Sequence, residues 1–263
     1  MPHLLLSPNP FYALSGFLVG LLVGLTGVGG GSLMTPILVL IFGVHANTAV
    51  GTDLLYASMT KTVGTGVHGW RGTVDWRIVR RLAAGSVPAA IATLLLLSAF
   101  NRPIGAVNHV ITEVLGGALV ATAIALVFRG RILDFFKDRV GALDPSRTTF
   151  LTVVLGVVVG VLVTISSVGA GAIGLTVLLI LYPSLPAGRL VGSDIAHAVP
   201  LTLIAGFGHW LIGDVDARLL VSLLIGSIPG IIVGSLVSSR VPDGMLRPVL
   251  AGTLALMGVK LFF

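Results

Sequence analysis

Lys61 stands in an apolar run, G-T-D-L-L-Y-A-S-M-T-K-T-V (Gly51 to Val63), where a cation needs a reason to be kept. Such a charge at membrane depth costs several kcal/mol and marks a pair or a ligand site. Two carboxylates could answer it. Asp53 closes V-G-T-D and Asp194 closes V-G-S-D. Lys61 therefore reads in two ways: it attracts an anion, or it neutralises Asp53 or Asp194. The two are compatible if an anion competes with the pair. Each aspartate follows a glycine and a hydroxyl residue, Thr52 or Ser193. That pattern suits a carboxylate stabilising the dipole of a helix it begins. The functional reading is a gate or proton carrier, with His197 one turn beyond Asp194 completing a titratable pair. His68 lies seven residues beyond Lys61 and shares its helical face, with Thr65 close to it. His68 and His209 sit near tryptophans, in H-G-W and H-W, as interfacial anchors or as one titratable group at each mouth. Glu113 is expected to contact a neighbouring helix, with proton coupling as its other reading.

Glycine supplies the second kind of chemistry. In G-V-G-G-G-S (Gly27 to Ser32) three consecutive glycines break a helix, and a new one is expected from about Ser32. A helix start presents unpaired N–H groups and a partial positive charge, together an anion site. A second break, S-S-V-G-A-G, runs from Ser166 to Gly171. The candidate anion contacts are Thr26, Gly29, Gly30, Gly31, Ser32 and Lys61 from the first region. Ser166, Ser167, Gly169 and Gly171 come from the second. Close packing through small residues is the competing explanation. The sequence has no cysteine, its six histidines lack metal-ligand spacing, and no hydrolase, zincin or nucleotide-loop motif occurs. No metal, cofactor or enzymatic activity is expected.

The elements that must position these residues repeat. V-G-T-D pairs with V-G-S-D (Val191 to Asp194), H-G-W-R-G-T-V-D (His68 to Asp75) with H-W-L-I-G-D-V-D (His209 to Asp216), and G-S-V-P (Gly85 to Pro88) with G-S-I-P (Gly226 to Pro229), all at an offset of 141 residues. The Gly-rich breaks correspond at one residue less. Duplication with interrupted apolar helices is the pattern of a secondary transporter whose site lies between the repeats. Spanning helices of about 20 residues are predicted at 11–28, 47–68, 77–98, 107–128, 150–167, 188–212, 217–239 and 244–262. Two shorter pieces, 32–43 and 172–183, either cross at a tilt or re-enter. The fold expected is an all-α polytopic membrane protein of two inverted repeats, each of about five segments. They occupy residues 1–128 and 148–263, joined by a linker at 129–147 that could form an amphipathic helix.

Charge sets the orientation. Arg71, Arg77, Arg80, Arg81, Arg129, Arg131, Lys137, Arg139 and Arg147 are nine of the sixteen basic residues and fall in two loops. The positive-inside rule makes both loops cytoplasmic. The counterpart of the first, at 213–217, carries Asp214 and Asp216 and is expected outside, as are both termini. Trp70, Trp76 and Trp210 belong at the interface. Only 10% of residues are charged and 55% are hydrophobic, against about 25% charged in soluble domains, which excludes a water-soluble protein. The net charge of +6 is a topology signal, so nucleic acid is not an expected partner. The first residues lack a basic signal-peptide region, so the first helix is expected to remain in the protein.

G-L-T-G-V-G-G-G-S-L-M-T-P, G-T-D-L-L-Y-A-S-M-T-K and H-G-W-R-G-T-V-D-W resemble the sulfite exporter TauE/SafE family, as do G-S-D-I-A-H, G-H-W, G-D-V-D and G-S-I-P-G in the second half. The resemblance covers nearly the whole chain. It implies a multi-pass transporter of small sulfur-containing anions such as sulfite, sulfoacetate or other organosulfonates, in the cell inner membrane or plasma membrane, with a homodimer allowed for. Proton-coupled import of similar anions and a structural membrane protein are the alternatives. The second break, S-S-V-G-A-G-A-I-G, has fewer glycines than the first, so the site need not be symmetric.

Overall fold

A computed structural model describes residues 9–26, 31–70, 72–99, 104–140, 144–237 and 243–262, and every regular element among them is helical. The first five helices are α1 (Pro10–Thr26), α2 (Gly31–Leu40), α3 (Ala46–Trp70), α4 (Trp76–Ala99) and α5 (Ile104–Val127). Then follow α6 (Arg129–Val140) and α7 (Pro145–Ser166). A π-helical turn (Ala170–Gly174) leads into α8 (Leu175–Leu181), α9 (Ala187–Leu211), α10 (Ala217–Val237) and α11 (Asp243–Lys260). The ten apolar segments all appear as helices, and the linker supplies α6. Among the described residues five helices are long and apolar enough to cross a membrane: α4, α5, α7, α9 and α10. α3 equals α9 in length but carries Asp53, Lys61 and several threonines, and it falls short on apolarity. The short pieces are α2 and the stretch 170–181. At 1.5 Å per residue they reach ~15–18 Å, about half a hydrocarbon core of ~30 Å.

Large apolar side chains cover the outside. Phe11, Leu95, Phe150, Leu211 and Leu256 are all exposed. An apolar surface this wide is the lipid-facing side of a membrane protein rather than a water-facing one. Trp76 and Trp210 are each 56% exposed.

The two halves exchange equivalent contacts. α1 packs along α10, α4 along α7, and α3 along α9. Glycines make the first two crossings close. A Cβ at Gly226 would run into the Ala13 carbonyl oxygen, and one at Gly85 into that of Val153. Gly16 abuts the Leu223 carbonyl and Gly156 that of Leu82. The loops behave alike. The Asp75 amide donates to Ser193 Oγ at 2.8 Å, and the Asp216 amide donates to Thr52 Oγ1 at 3.1 Å. Gly72 and Gly213, 141 residues apart, both take the positive φ (66° and 88°) that their turns require.

Local sequence explains the ends of α7. Asp144 caps it, accepting from the Ser146 amide at 3.2 Å, and Pro145 occupies the first turn, where its missing N–H costs nothing. Among the described residues two large hydrophobic cores form, beside a small cluster of Val74, Val79 and Ala196. One joins α1, α2, α10 and α11 with parts of α3 and α5; the other joins α4, α7, α8 and α9 with the start of α3.

Candidate functional site

Four elements meet at a small polar cavity. Ser32 comes from the first turn of α2, Lys61 from mid-α3 and Thr122 from α5; Ser167 and Gly169 to Ala172 come from the break after α7. The open space is about 10 Å³, room for about one water. α7 stops because Ser167 turns left-handed at φ 59°, while its amide still bonds the Val163 carbonyl at 2.8 Å. Gly169 follows at φ 120°, a conformation that side-chain-bearing residues avoid. The Gly174 amide then reaches back to the Gly169 carbonyl at 3.2 Å, which makes the restart a π turn. Ser166 is spent locally: its hydroxyl donates to the Leu162 carbonyl at 2.7 Å and accepts from the Val168 amide at 3.2 Å. Among the described residues the buried hydroxyls of Ser167 and Thr122 have no hydrogen-bond partner. Buried polar atoms normally find one, so these two are available to a ligand.

Lys61 brings a charge to the cavity wall. Lys61 is buried, and its ammonium interacts electrostatically with Asp194 and Asp53. Neither makes a direct ion pair with it; among the described residues the close pairs are His109–Glu113 at 3.4 Å and His209–Asp214 at 3.2 Å. Asp53 accepts from Thr35 Oγ1 at 2.5 Å, and Ser167 approaches it without hydrogen-bond geometry. The arrangement is asymmetric. Thr176, the counterpart of Thr35, donates to the Ala172 carbonyl at 2.7 Å instead of to Asp194. The counterpart of Lys61 is Thr202, bonded to Ala198 of its own helix. One cation therefore serves two carboxylates.

Several expectations change. Asp53 and Asp194 do not begin their helices; α3 starts at Ala46 and α9 at Ala187, two turns earlier in each case, so the helix-dipole reading falls. His197 does not pair with Asp194. Its Nε2 lies 2.8 Å from Ser86 Oγ on α4. The equivalent couple is Tyr56 facing Ser227, without hydrogen-bond geometry. His209 is no interfacial anchor, being fully buried. Its Nε2 faces the Thr164 carbonyl at 2.9 Å, so it must donate there, and Nδ1 faces Asp214 at 3.2 Å. Asp214 also accepts from Asn47 Nδ2 at 2.6 Å. This ties the α9–α10 loop to the end of α7, just before the break. Replacing Asp214 by Ala should cost about 1–3 kcal/mol, because it strands buried donors; thermal melting would show this, and an unchanged melting temperature would remove the network's structural role. Glu113 is exposed and pairs with His109 of its own helix rather than with a neighbour.

The remaining sequence-picked residues divide. Ser32, Lys61, Ser167, Gly169 and Gly171 line the cavity together. Gly31 opens α2 and Thr26 ends α1. Gly29 and Gly30 lie outside the described residues, as does the side chain of His68. Sequence reading missed Thr122, a threonine in an apolar helix with no periodicity to betray it. It also missed Thr35, Ser86 and Ser227. The last two sit in the repeated G-S-x-P, so their duplication was the available signal.

Comparison with known proteins agrees with this architecture. The family described as Sulfite exporter TauE/SafE matches residues 12–261. The chain is 38% identical over 259 residues to "Probable membrane transporter protein YjnA" of Bacillus subtilis (strain 168), covering 94% of this chain and 97% of that one. It is 28% identical to "Probable membrane transporter protein YdhB" of the same strain, covering 94% and 97%. A third relative, "Probable membrane transporter protein MJ0441" of Methanocaldococcus jannaschii, is 26% identical over 95% and 94%. No solved structure matches the chain. With the match spanning both halves, both Gly-rich breaks and the Lys61 cavity, the chain belongs to the sulfite exporter TauE/SafE family of membrane transporters.

Proposed function

We propose that this protein exports small sulfur-containing anions, such as sulfite or organosulfonates, by alternating access in the inner or plasma membrane. The observation that carries the reading is the polar cavity. It brings a buried ammonium, two unpartnered hydroxyls and the restart of an interrupted helix to one place. Ser167, Thr122 and Lys61 would hold the anion, with N–H groups at the helix restarts adding donors. A space for about one water is too small for such an anion, so this conformation is closed and binding requires the halves to part. The α1–α10 and α4–α7 contacts would carry that movement, with each repeat inverted relative to the other. An inside-negative potential favours anion exit by about 2.3 kcal/mol per charge per 100 mV.

A second reading, proton-coupled import, is favoured by the charge count. One lysine already faces two aspartates, so the site is net negative with both ionised, and each proton taken up would offset the charge of one incoming monoanion. Proteoliposome flux of sulfite, sulfoacetate and chloride, with and without a pH gradient, tests both. Sulfur-anion efflux driven by potential alone supports export; uptake that appears only with an inward proton gradient supports the second; equal leak of all anions removes both. For the inverted arrangement, single cysteines at Gly72 and Gly141 should be labelled from the cytoplasm and one at Gly213 from outside. Labelling of Gly72 and Gly213 variants from one side would contradict it.

A further inference from the structure

A second described cavity, wholly apolar, lies away from Lys61 and its aspartates. It encloses about 400 Å³ between α6, α7 and the π turn with α8, against the end of α5. Ile132 and Phe136 of α6, Leu151 of α7, and Ile173, Val177 and Ile180 form most of its wall, and the lining is wholly apolar. The one hydroxyl residue there, Thr176, has its Oγ1 tied to the Ala172 carbonyl, leaving its methyl for the wall. The volume falls in the range of ligand pockets, about 300–1,000 Å³.

Its setting is basic. Arg147 lies one turn before Leu151 and so shares its face of α7. Arg131 precedes Ile132 on α6, its guanidinium 5.7 Å from the centre of the Phe128 ring, and both arginines are exposed. Arg81 reaches Tyr182, just past α8, at 3.1 Å. An apolar slot beneath a surface helix, with arginines close in sequence to its lining residues and on the side that the positive-inside rule makes cytoplasmic, matches one kind of molecule. It needs an alkyl chain and a negative head, and anionic phospholipids populate that leaflet.

We propose that the cavity under α6 takes an acyl chain of an anionic phospholipid from the cytoplasmic leaflet, with Arg131 and Arg147 facing its headgroup. The chain would pack against one side of the helical stretch 170–181, whose first residues line the Lys61 cavity. Anionic lipid should therefore stiffen the second break.

The test uses the purified full chain in detergent with phosphatidylglycerol carrying a photoreactive group on its acyl chain. Crosslinks are expected to concentrate on peptides of α6 and α8. Unlabelled phosphatidylglycerol should compete at least about 5-fold better than phosphatidylcholine, and should raise the melting temperature more. Filling the cavity with Ile180→Trp, or separately Val177→Phe, should remove those crosslinks. Arg131→Gln with Arg147→Gln should reduce phosphatidylglycerol to the level of phosphatidylcholine. Crosslinks spread evenly over α4 and α11, or equal competition by phosphatidylcholine, would overturn the proposal in favour of ordinary surrounding lipid. Better competition by free oleate would overturn it in favour of a fatty-acid site. The crosslink map of the unaltered protein decides even where a variant does not fold, and none of these readouts depends on transport.

Discussion

Lys61→Met is expected to reduce sulfur-anion flux by about 10- to 150-fold. That range follows from losing a charged hydrogen-bond donor worth about 1.5–3 kcal/mol. The substitution also has a second effect that must be separated from the first. Lys61 is the cation that faces Asp194 and Asp53 in the interior. Removing it leaves buried carboxylates without a counter-charge, a loss of about 3–5 kcal/mol. The double variants Lys61→Met with Asp194→Asn, and Lys61→Met with Asp53→Asn, distinguish the roles. If Lys61 binds the anion, these variants regain melting temperature but not flux. Recovery of full flux in a stable double variant would leave Lys61 as scaffold and defeat its binding role. Asp194→Asn should rescue better than Asp53→Asn. Asp53 already has Thr35 at 2.5 Å, whereas the corresponding threonine near Asp194 is bonded elsewhere.

Gly226→Val is expected to be among the most destabilising single changes away from the charges. The new side chain would meet the backbone of α1 at Ala13 and Phe17, where no flexible atom can yield. Overpacking of this kind costs about 1–3 kcal/mol and sometimes more. Gly85→Val should behave alike, because it presses on Val153 and Val157 of α7 in the same way. Gly117 provides the control. It lies in α5 with nothing within 4 Å of its Cβ position, so Gly117→Ala should stay within about 0.5 kcal/mol. Melting temperatures of the three variants decide the matter. If Gly226→Val melts with Gly117→Ala, the α1–α10 crossing is not the tight contact described. Because both crossings join opposite halves of the chain, either valine should also slow transport if those halves move against each other.

Much of this molecule was legible in one dimension. The helices followed from apolar runs long enough for a bilayer, and the second break falls in the predicted S-S-V-G-A-G stretch, where Ser167 and Gly169 turn left-handed. Lys61 stood out because a charge in such a run is rarely neutral in meaning. The offset of 141 residues identified in advance which residues correspond, and Ser86 with Ser227 could have been assigned from it. What the linear pattern could not supply was the partner of each side chain. Asp53 and Asp194 look alike in sequence, yet Thr35 bonds one and Thr176 turns from the other. His197 is spaced to meet Asp194 on its own helix but takes Ser86 on α4. His209 reads as an interfacial residue and is instead enclosed by Thr164 and Asp214. Periodicity reports which face of a helix is apolar, and it does so through interactions a few residues apart. Hydrogen-bond partners, buried charge pairs and cavities arise where separate helices cross, and those crossings are decided by packing over the whole chain. The sequence by itself therefore determined the helices, their interruptions and the duplicated order; the tertiary structure alone decided which duplicated residues meet, and made one lysine answer two aspartates.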